Sequence, residues 1–351
     1  MITRITELLG IKYPVIQAPA NYVGVPRLVA AVSNAGGFGI LASGRFAPEE
    51  IREDVRAVKQ LTDKPFGVNL IFGSPGYEKL AEIFIEERVP LICHSRGNPK
   101  WLIDLTRGYG IKIMAMVGTV RHAVRAEQDG ADAVIAQGEE AGGHVGYVST
   151  MVLLPLVAGK VKIPVVGAGG FSDGRGLVAA LALGAEGIAM GTRFALTEES
   201  PLPAGIKQRY LESSENDTVV TPTITGTRLR VISNRFTQML EEGEQKLSWK
   251  ERVSSALKTR RMLGVSWWRF LVGGWNMRKE YEASAAQLGH LAAGGMRIRK
   301  AMVEGDADFG VMPSGQICGR IEDIPSIQEL IEQIVAEATS TLDSVKNKVL
   351  I

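Results

Sequence analysis

Eight short apolar runs recur along the first 194 residues, and they restrict the fold more than any other feature of this chain. Each run is a few residues long, rich in valine, isoleucine, leucine and alanine, and apolar throughout. Continuous apolar runs of this length are typical of strands buried on both faces of a parallel sheet. The runs are "PVIQAPA" (14–20), "GFGILAS" (37–43), "FGVNLIF" (66–72), "VPLICHS" (89–95), "KIMAMVG" (112–118), "DAVIAQG" (132–138), "IPVVGAGG" (163–170) and "GIAMGTRF" (187–194).

The segments between these runs have the spacing of helices, as in "PEEIREDVRAVKQLTD" (48–63) and "GRGLVAALALGAE" (174–186). Eight strand-then-helix units predict an α/β fold of the (β/α)8 type, a TIM barrel. A doubly wound sheet also alternates strands and helices, but it usually has fewer strands and a switch-point motif. The dinucleotide fingerprint G-x-G-x-x-G is absent, because Ser172 stands where "GAGGFSDG" needs its third glycine. The pattern therefore favours the barrel.

The balance of charges excludes several classes of partner. The chain has 40 Lys plus Arg and 38 Asp plus Glu, a formal net charge of +2. This balance gives no electrostatic reason to expect nucleic acid or an anionic membrane surface as a partner. Cys93 and Cys318 lie far apart, which fits a reducing compartment, so we expect a cytoplasmic protein. No run of 18 apolar residues occurs, so we expect no membrane span.

The pattern changes after Phe194. We predict a barrel domain made of residues 1–194 and 301–351, with a helical lid or substrate domain at 195–300 inserted after strand 8. The lid contains "DTVVTPTITGTRLRVI" (217–232), whose composition indicates extended structure, and "VSWWRFLVGGW" (265–275), which we expect to pack inside the lid. A final amphipathic helix is predicted from Ser326 to Lys346.

Functional residues of barrels lie at the carboxyl ends of the strands. No pair of carboxylates stands at these ends. The four histidines lack metal-ligand spacing, and no nucleophile elbow G-x-S-x-G occurs, so neither a metal site nor a serine hydrolase is expected. Side-chain chemistry at the strand ends is sparse, which suits a bound cofactor that carries the reaction.

Two neighbouring strand ends indicate a phosphate site. "GAGGFSDGRG" brings Gly169 and Gly170, and "MGTRF" brings Gly191 and Thr192. Glycines at the tips of strands 7 and 8 expose backbone N–H groups to a phosphate, although they also serve as tight turns. Three amides at other strand ends could hydrogen-bond a planar polar ring over the barrel mouth, namely Gln17, Asn69 and Gln137. One phosphate and one polar ring together predict flavin mononucleotide, FMN.

The stretch "GEEAGGHVG" (138–146) places His144 directly after two glycines, beyond the sixth predicted strand. Such a stretch is either an active-site loop or a flexible surface turn. Glycines let the backbone approach a ligand, and a histidine can carry a proton near neutral pH.

Over nearly its whole length the chain resembles the nitronate monooxygenase family, formerly called 2-nitropropane dioxygenases. It is similar also to the related FMN-dependent enoyl-acyl-carrier-protein reductases and NADH:quinone reductases. The stretches that carry the resemblance are "PVIQAPA", "SNAGGFGILAS", "FGVNL", "QGEEAGGHVG", "VVGAGGFSDGRG", "GIAMGTRF", "DTVVTPTITGTRLRVI" and "GVMPSGQICGRI".

The resemblance implies an FMN-dependent barrel in which His144 faces the flavin and the substrate, as a general base or as a group that orients an anionic nitronate. It also implies a role for each of three groups of residues. Gly142 and Gly143 would let the loop pass close to the flavin, and Ala18, Pro19, Asn69 and Gln137 would contact the ring. Gly169, Gly170, Gly191 and Thr192 would hold the phosphate, and Gly315 and Gln316 would close over the cofactor.

Three functions follow as hypotheses. The first is a nitronate monooxygenase that uses oxygen to turn alkyl nitronates into a carbonyl compound and nitrite. The second is an NAD(P)H-dependent reductase of quinones or enoyl thioesters, which would use the same flavin and histidine. The third is a flavin-binding protein without turnover. In the first two cases the partner is a small-molecule substrate, and all three are compatible with a homo-oligomer.

Overall fold

The computed structural model describes residues 1–44, 47–74, 76–242 and 285–349, together with 254, 257, 260, 266–268 and 272. Eight parallel strands form one sheet. They are β1 (Val15–Gln17), β2 (Ile40–Leu41), β3 (Gly67–Ile71), β4 (Leu91–Ser95), β5 (Lys112–Val117), β6 (Ala133–Gln137), β8 (Val165–Ala168) and β9 (Gly187–Met190). Every predicted strand is present within the range of its apolar run.

The sheet closes on itself. Its order is β1-β9-β8-β6-β5-β4-β3-β2, and a parallel bridge between Ile16 and Phe38 joins the two ends. Phe38 N donates to Val15 O at 3.0 Å, and Gln17 N donates to Phe38 O at 2.9 Å. The prediction of a (β/α)8 barrel is therefore confirmed.

Helices cover the outside of the barrel. They are α2 (Pro26–Asn34), α3 (Pro48–Leu61), α4 (Tyr77–Glu86), α5 (Lys100–Thr106), α6 (Val120–Asp129), α7 (Thr150–Ala158), α8 (Gly174–Ala182) and α9 (Thr192–Ala195). Helix α1 (Arg4–Leu9) precedes β1, and its Ile5 and Leu9 belong to the apolar cluster inside the barrel. Alternate residues of each strand pack into two different apolar clusters, because successive side chains of a strand point to opposite faces. Ile16, Leu91 and Cys93 belong to the small cluster inside the barrel, whereas Val15 and Ile92 pack under the helices.

The chain beyond the barrel strands contains helices and a small antiparallel sheet. Among the described residues of this part, the helices include α10 (Ala204–Leu211), α11 (Arg235–Glu241) and α12 (Ala285–Met302). The strands β10 (Thr218–Thr221) and β11 (Leu229–Ile232) lie inside the stretch predicted to be extended. Strand β11 also pairs with β7 (Gly143–His144), which lies in the loop after β6. The division of the chain into a barrel and a lid at 195–300 stays a prediction.

A 3-10 helix (Gln316–Arg320) and the terminal helix α13 (Ile327–Val349) complete the chain, and α13 confirms the predicted final helix. One expectation for the tryptophan-rich stretch is wrong. Trp267 is 52% exposed and Trp268 is 76% exposed, so neither packs in an apolar interior. Trp275 lies outside the described residues.

Candidate active site

Several of the predicted cofactor residues lie at the carboxyl ends of the barrel strands. Ala18 and Pro19 follow β1, and the Ala18 N–H donates to Met190 O at 2.9 Å, so the tips of β1 and β9 are joined. Gln17 does not reach the mouth. It is fully buried, its Oε1 accepts from Ile40 N at 3.0 Å, and its Nε2 donates to Ala18 O. Its amide holds the barrel wall together, so the expectation that it contacts a ring is wrong.

Asn69 organises the tips of β3 and β4. Its side chain is 3% exposed, and its Nδ2 donates to Cys93 O at 2.9 Å and to Ser95 Oγ at 2.8 Å. Ser95 Oγ in turn lies 3.1 Å from Met116 Sδ at the tip of β5. Both Nδ2 hydrogens are therefore used inside the protein, which leaves the Oδ1 atom of Asn69 as the part of the amide able to meet a ligand.

The two carboxylates of "GEEAGGHVG" have structural roles. Glu140 accepts from Thr150 N at 2.9 Å and from Thr150 Oγ1 at 2.8 Å, at the amino end of α7, where a negative charge is favourable. Glu139 pairs with the Arg228 guanidinium, and its carbonyl accepts from Arg230 Nε at 3.1 Å. These contacts hold the loop after β6 on α7 and on β11, so the stretch is not a flexible turn.

The backbone of His144 is fixed from two sides. It pairs with Leu229 in the antiparallel ladder between β7 and β11, and Gln137 Nε2 donates to His144 O at 2.9 Å. Gly143 enters this ladder with φ of +78°, a left-handed conformation that favours glycine. The sequence of two glycines before the histidine thus lets the chain turn from the end of β6 into the small sheet.

His144 is exposed to solvent, and its Nε2 is 3.1 Å from Thr225 Oγ1. Neighbouring protein nevertheless desolvates the ring in part. This desolvation, followed by the positive charge of Arg96, lowers the pKa of His144 to about 3. The ring is therefore neutral near pH 7 and has a lone pair available for a proton.

Arg96 is a site residue that the sequence interpretation missed. It follows β4 directly, its backbone has φ of +66°, and its Nη2 donates to Thr227 Oγ1 at 3.4 Å. A side-chain-bearing residue in the left-handed region is strained, and such strain is concentrated at functional sites. The signal was present in "CHSRG", where a cation stands one position beyond the predicted strand end.

Three strand-end segments and the segment before the 3-10 helix meet at the glycine-rich side of the mouth. A Cβ on Gly142 would lie 2.6 Å from Gly315 N, and one on Gly169 would lie 3.1 Å from Ala141 N. The Gly315 N–H donates to Thr192 Oγ1 at 3.0 Å, and Gln316 N donates to Glu140 O at 3.0 Å. The structure thus brings together Gly142, Gly169, Thr192, Gly315 and Gln316, which are far apart in sequence.

Open space adjoins two other predicted glycines. A Cβ built on Gly143 or on Gly191 would meet no atom within 4 Å. Gly170 adopts φ of +80°, and its nearest neighbour to such a Cβ is Glu140 Cβ at 3.8 Å. These glycines therefore border open space.

His94 and Cys93 are buried residues of β4. His94 is 1% exposed and packs near Phe72, with 5.9 Å between ring centroids. Desolvation lowers the pKa of His94 to about 4. Cys93 is buried in the barrel interior, where desolvation raises its pKa to about 12. Both side chains are therefore closed off from a molecule at the barrel mouth.

Within the described ranges, no group of three His, Cys, Asp or Glu residues is arranged to hold a metal ion. Nor does any helix in that part of the chain combine the length and apolar character needed to cross a bilayer.

The closed barrel and the imidazole at its carboxyl mouth define the class of protein, a (β/α)8-barrel enzyme. The family model described as nitronate monooxygenase matches residues 3–77 and 71–337. The chain therefore belongs to the nitronate monooxygenase family, and it is an oxidoreductase.

Several relatives share most of the chain. One from Mycobacterium tuberculosis, named (3aS,4S,5R,7aS)-5-hydroxy-7a-methyl-1-oxo-octahydro-1H-indene-4-carboxyl-CoA dehydrogenase, is 40% identical over 345 residues, 97% of each chain. A probable nitronate monooxygenase of Staphylococcus saprophyticus is 35% identical over 70% of this chain and 82% of its own. Among solved structures, FabK from Thermotoga maritima is 36% identical with a TM-score of 0.82, over 99% of this chain and 100% of its own.

Proposed function

We propose that this protein is an FMN-dependent oxidoreductase that removes hydrogen from an acyl thioester of coenzyme A. The observation that carries the proposal is that an imidazole and a cation contact the same turn: His144 Nε2 lies 3.1 Å from Thr225 Oγ1, and Arg96 Nη2 donates to Thr227 Oγ1 at 3.4 Å. This pair is suited to a substrate that loses a proton from carbon and becomes an anion.

The mouth fits a flavin mononucleotide. Gly169, Gly170, Gly191 and Thr192 would hold the phosphate, because the first two adopt left-handed backbone at the tip of β8 and Gly191 borders open space. Thr192 Oγ1 accepts from Gly315 N, so its own hydroxyl proton is available to a phosphate oxygen. This contact also ties the segment of Gly315 and Gln316 to the proposed phosphate site.

The ring of the cofactor would lie against the residues on the other side of the mouth, which are Ala18, Pro19, Asn69, Gln137, Gly142 and Gly143. Asn69 would contribute Oδ1, because its Nδ2 is bonded inside the protein. When bound, FMN supplies the acceptor for the hydrogen and electron pair that leave the β carbon of the substrate.

The chain's own residues would act on the α carbon. The lone pair of His144 would take the proton next to the thioester carbonyl, and the guanidinium of Arg96 would stabilise the negative charge that develops on the carbonyl oxygen. In the free site, the charge of Arg96 disfavours protonation of His144. The negative charge of the substrate anion would offset the charge of Arg96 once the proton has moved.

The choice of substrate is supported by the relatives. Two chains that are 39% and 40% identical over 97% of this chain are named as dehydrogenases of a carboxyl-CoA thioester with a fused-ring acyl group. The relatives named as probable nitronate monooxygenases are less similar, 35% identical over 70% of this chain in the example above.

An alkyl nitronate is the second candidate substrate. The family model that matches the chain has this activity as its description, and a nitroalkane oxidase structure from Streptomyces ansochromogenes is 26% identical with a TM-score of 0.77 over 98% of this chain. A nitronate arrives already as an anion, so Arg96 would bind it and His144 would only orient it.

Anaerobic mixing tests the proposal. The FMN-loaded protein is mixed separately with cyclohexanecarboxyl-CoA, with the nitronate of 2-nitropropane and with NADPH, while the absorbance of oxidised flavin is recorded. We expect the thioester to bleach the flavin, and His144→Gln to slow the bleaching by about 100-fold or more. His122→Gln is the matched control, because His122 lies on α6 outside the mouth.

Bleaching by the nitronate alone would replace the thioester proposal with the nitronate reaction. Bleaching by NADPH alone would assign the protein to the reductases. A protein that retains no FMN would overturn the cofactor proposal and both substrate candidates with it.

A further inference from the structure

The hydroxyl group of Thr225 links the His144 ring to a neighbouring carbonyl group. Thr225 Oγ1 lies 3.1 Å from His144 Nε2 and 3.1 Å from the main-chain oxygen of Thr227. A hydroxyl has one hydrogen to donate, and a carbonyl oxygen can only accept. When the Thr225 hydrogen goes to the carbonyl, Oγ1 meets Nε2 as an acceptor, so Nε2 must carry the hydrogen.

The cation of Arg96 supports this direction of donation. Arg96 Nη2 donates to Thr227 Oγ1 at 3.4 Å, and Thr227 Oγ1 lies 3.4 Å from Thr225 Oγ1. Because a guanidinium only donates, the Thr227 hydroxyl hydrogen is directed away from Arg96 and toward Thr225. Thr225 Oγ1 then accepts from Thr227 and from His144 Nε2, and it donates to the carbonyl. Each hydroxyl, the ring nitrogen and the carbonyl in this series of contacts then has a hydrogen-bond partner.

Thr225 is held firmly in this position. It is 3% exposed, and Gly294 of α12 packs so closely that a Cβ there would lie 2.6 Å from Thr225 Cγ2. The turn that carries it is closed by Gly226 N, which donates to Pro222 O at 2.8 Å. The His144 backbone is fixed independently by β11, so both ends of the contact have defined positions.

We infer that Thr225 is a positioning residue that keeps the hydrogen of neutral His144 on Nε2, so that Nδ1 is the atom that takes a proton from the substrate. The inference rests on the proposed function of His144 as a base, and it assigns that function to one atom. In the reaction the carbon–hydrogen bond breaks, its electron pair stays on the substrate, and the proton forms a bond with Nδ1.

The tautomer can be measured directly. Long-range nitrogen–hydrogen correlation spectra of the full-length 15N-labelled chain, recorded with and without FMN, distinguish Nε2–H from Nδ1–H in each histidine. The chain has four histidines, and His144→Gln assigns the signal of His144. We expect Nε2–H in the wild type and in Thr225→Ser, and a mixture of tautomers in Thr225→Val, which keeps the shape and loses the hydroxyl.

The kinetic consequence is a second readout. We expect Thr225→Val to lower kcat about tenfold with little change in KM, the size of effect that one neutral hydrogen bond gives. Thr225→Ser keeps most of the activity. Thr223→Val is the matched control, since Thr223 lies in the same segment, is exposed, and bonds to Thr221 instead of His144.

A wild-type signal of Nδ1–H overturns the inference, even if Thr225→Val fails to fold. So does a Thr225→Val variant with an unchanged tautomer. An Nε2–H signal that depends on Thr225, in a protein inactive on thioesters and nitronates, would support the positioning role while refuting the proposed function.

Discussion

At the scale of single residues, the environment of His144 sets the pH dependence that we expect of the proposed reaction. An unperturbed histidine would lose half of its base form near pH 6.5. Desolvation and Arg96 lower the pKa of His144 to about 3, so the ring stays neutral well below that point. We expect kcat/KM to be level between pH 5 and pH 8, measured within the range in which the protein stays folded.

A pH profile of kcat/KM for the wild type and for Arg96→Gln checks this expectation. Removal of the cation at residue 96 leaves desolvation as the remaining cause, so the inflection moves upward in pH. Arg88→Gln is the control, because Arg88 also has a left-handed backbone, φ of +48°, but follows α4 away from the mouth. A wild-type inflection near pH 6.5 would contradict the assignment of His144 as a desolvated base.

His94 gives a separate prediction, on stability. Its pKa is about 4 in the folded protein and near 6.5 when unfolded, so between these values the unfolded chain binds more protons. Stability is therefore complete above pH 6.5 and falls as pH drops toward 4. We expect His94 to account for a loss of about 2 kcal/mol between pH 7 and pH 5.

Urea unfolding of His94→Leu at both pH values checks this loss. The variant should lose about 2 kcal/mol less than the wild type between pH 7 and pH 5, because a buried imidazole with an unpaired Nε2 no longer has to take up a proton. If the wild type and His94→Leu lose the same free energy of unfolding between pH 7 and pH 5, His94 is not desolvated in the folded state.

At the scale of elements, the contact between α8 and α13 leaves no room for a side chain. A Cβ on Gly174 would lie 2.3 Å from Ala338 N and 2.4 Å from Ile334 O, both of them backbone atoms. We expect Gly174→Ala to push the helices apart and to lower the free energy of unfolding by about 1–3 kcal/mol. Gly205→Ala in α10 is the control, because no atom lies within 4 Å of its Cβ.

Urea unfolding of the two alanine variants checks the packing. Gly205→Ala should be neutral or more stable by about 1 kcal/mol, since alanine lowers the entropy of the unfolded chain. Equal stabilities for both variants would mean that α13 is not held against α8 in solution.

At the scale of the whole molecule, the proposed FMN site draws on segments from both ends of the chain. Anything that binds only the folded state stabilises it, by about 2.7 kcal/mol when its free concentration is 100 times its Kd. For a chain of this length, we expect FMN at such a concentration to raise Tm by about 3–4 °C. Riboflavin, which lacks the phosphate, should raise Tm less.

Gly191→Val sharpens this test, because the added side chain enters the open space beside the proposed phosphate site and meets no atom near its Cβ. The variant should unfold at the wild-type temperature without FMN and show no rise in Tm with it. A wild-type rise in Tm that Gly191→Val leaves intact would place the phosphate elsewhere.

The sequence by itself determined the barrel and the positions of its strand ends. Apolar runs separated by amphipathic helices have few ways to bury their side chains, and the carboxyl ends of parallel strands must share one side of the barrel. Gly169, Gly191 and His144 could therefore be assigned to one mouth from their order in the chain alone.

Only the tertiary structure decided which side chains meet there. Gln17 stands at a strand end like Asn69, but it is bonded inside the barrel wall. Thr225 reaches His144 across 81 residues of sequence. Such contacts depend on how the loop after β6 pairs with β11, and hydrogen bonds between distant segments leave no periodic pattern in a sequence.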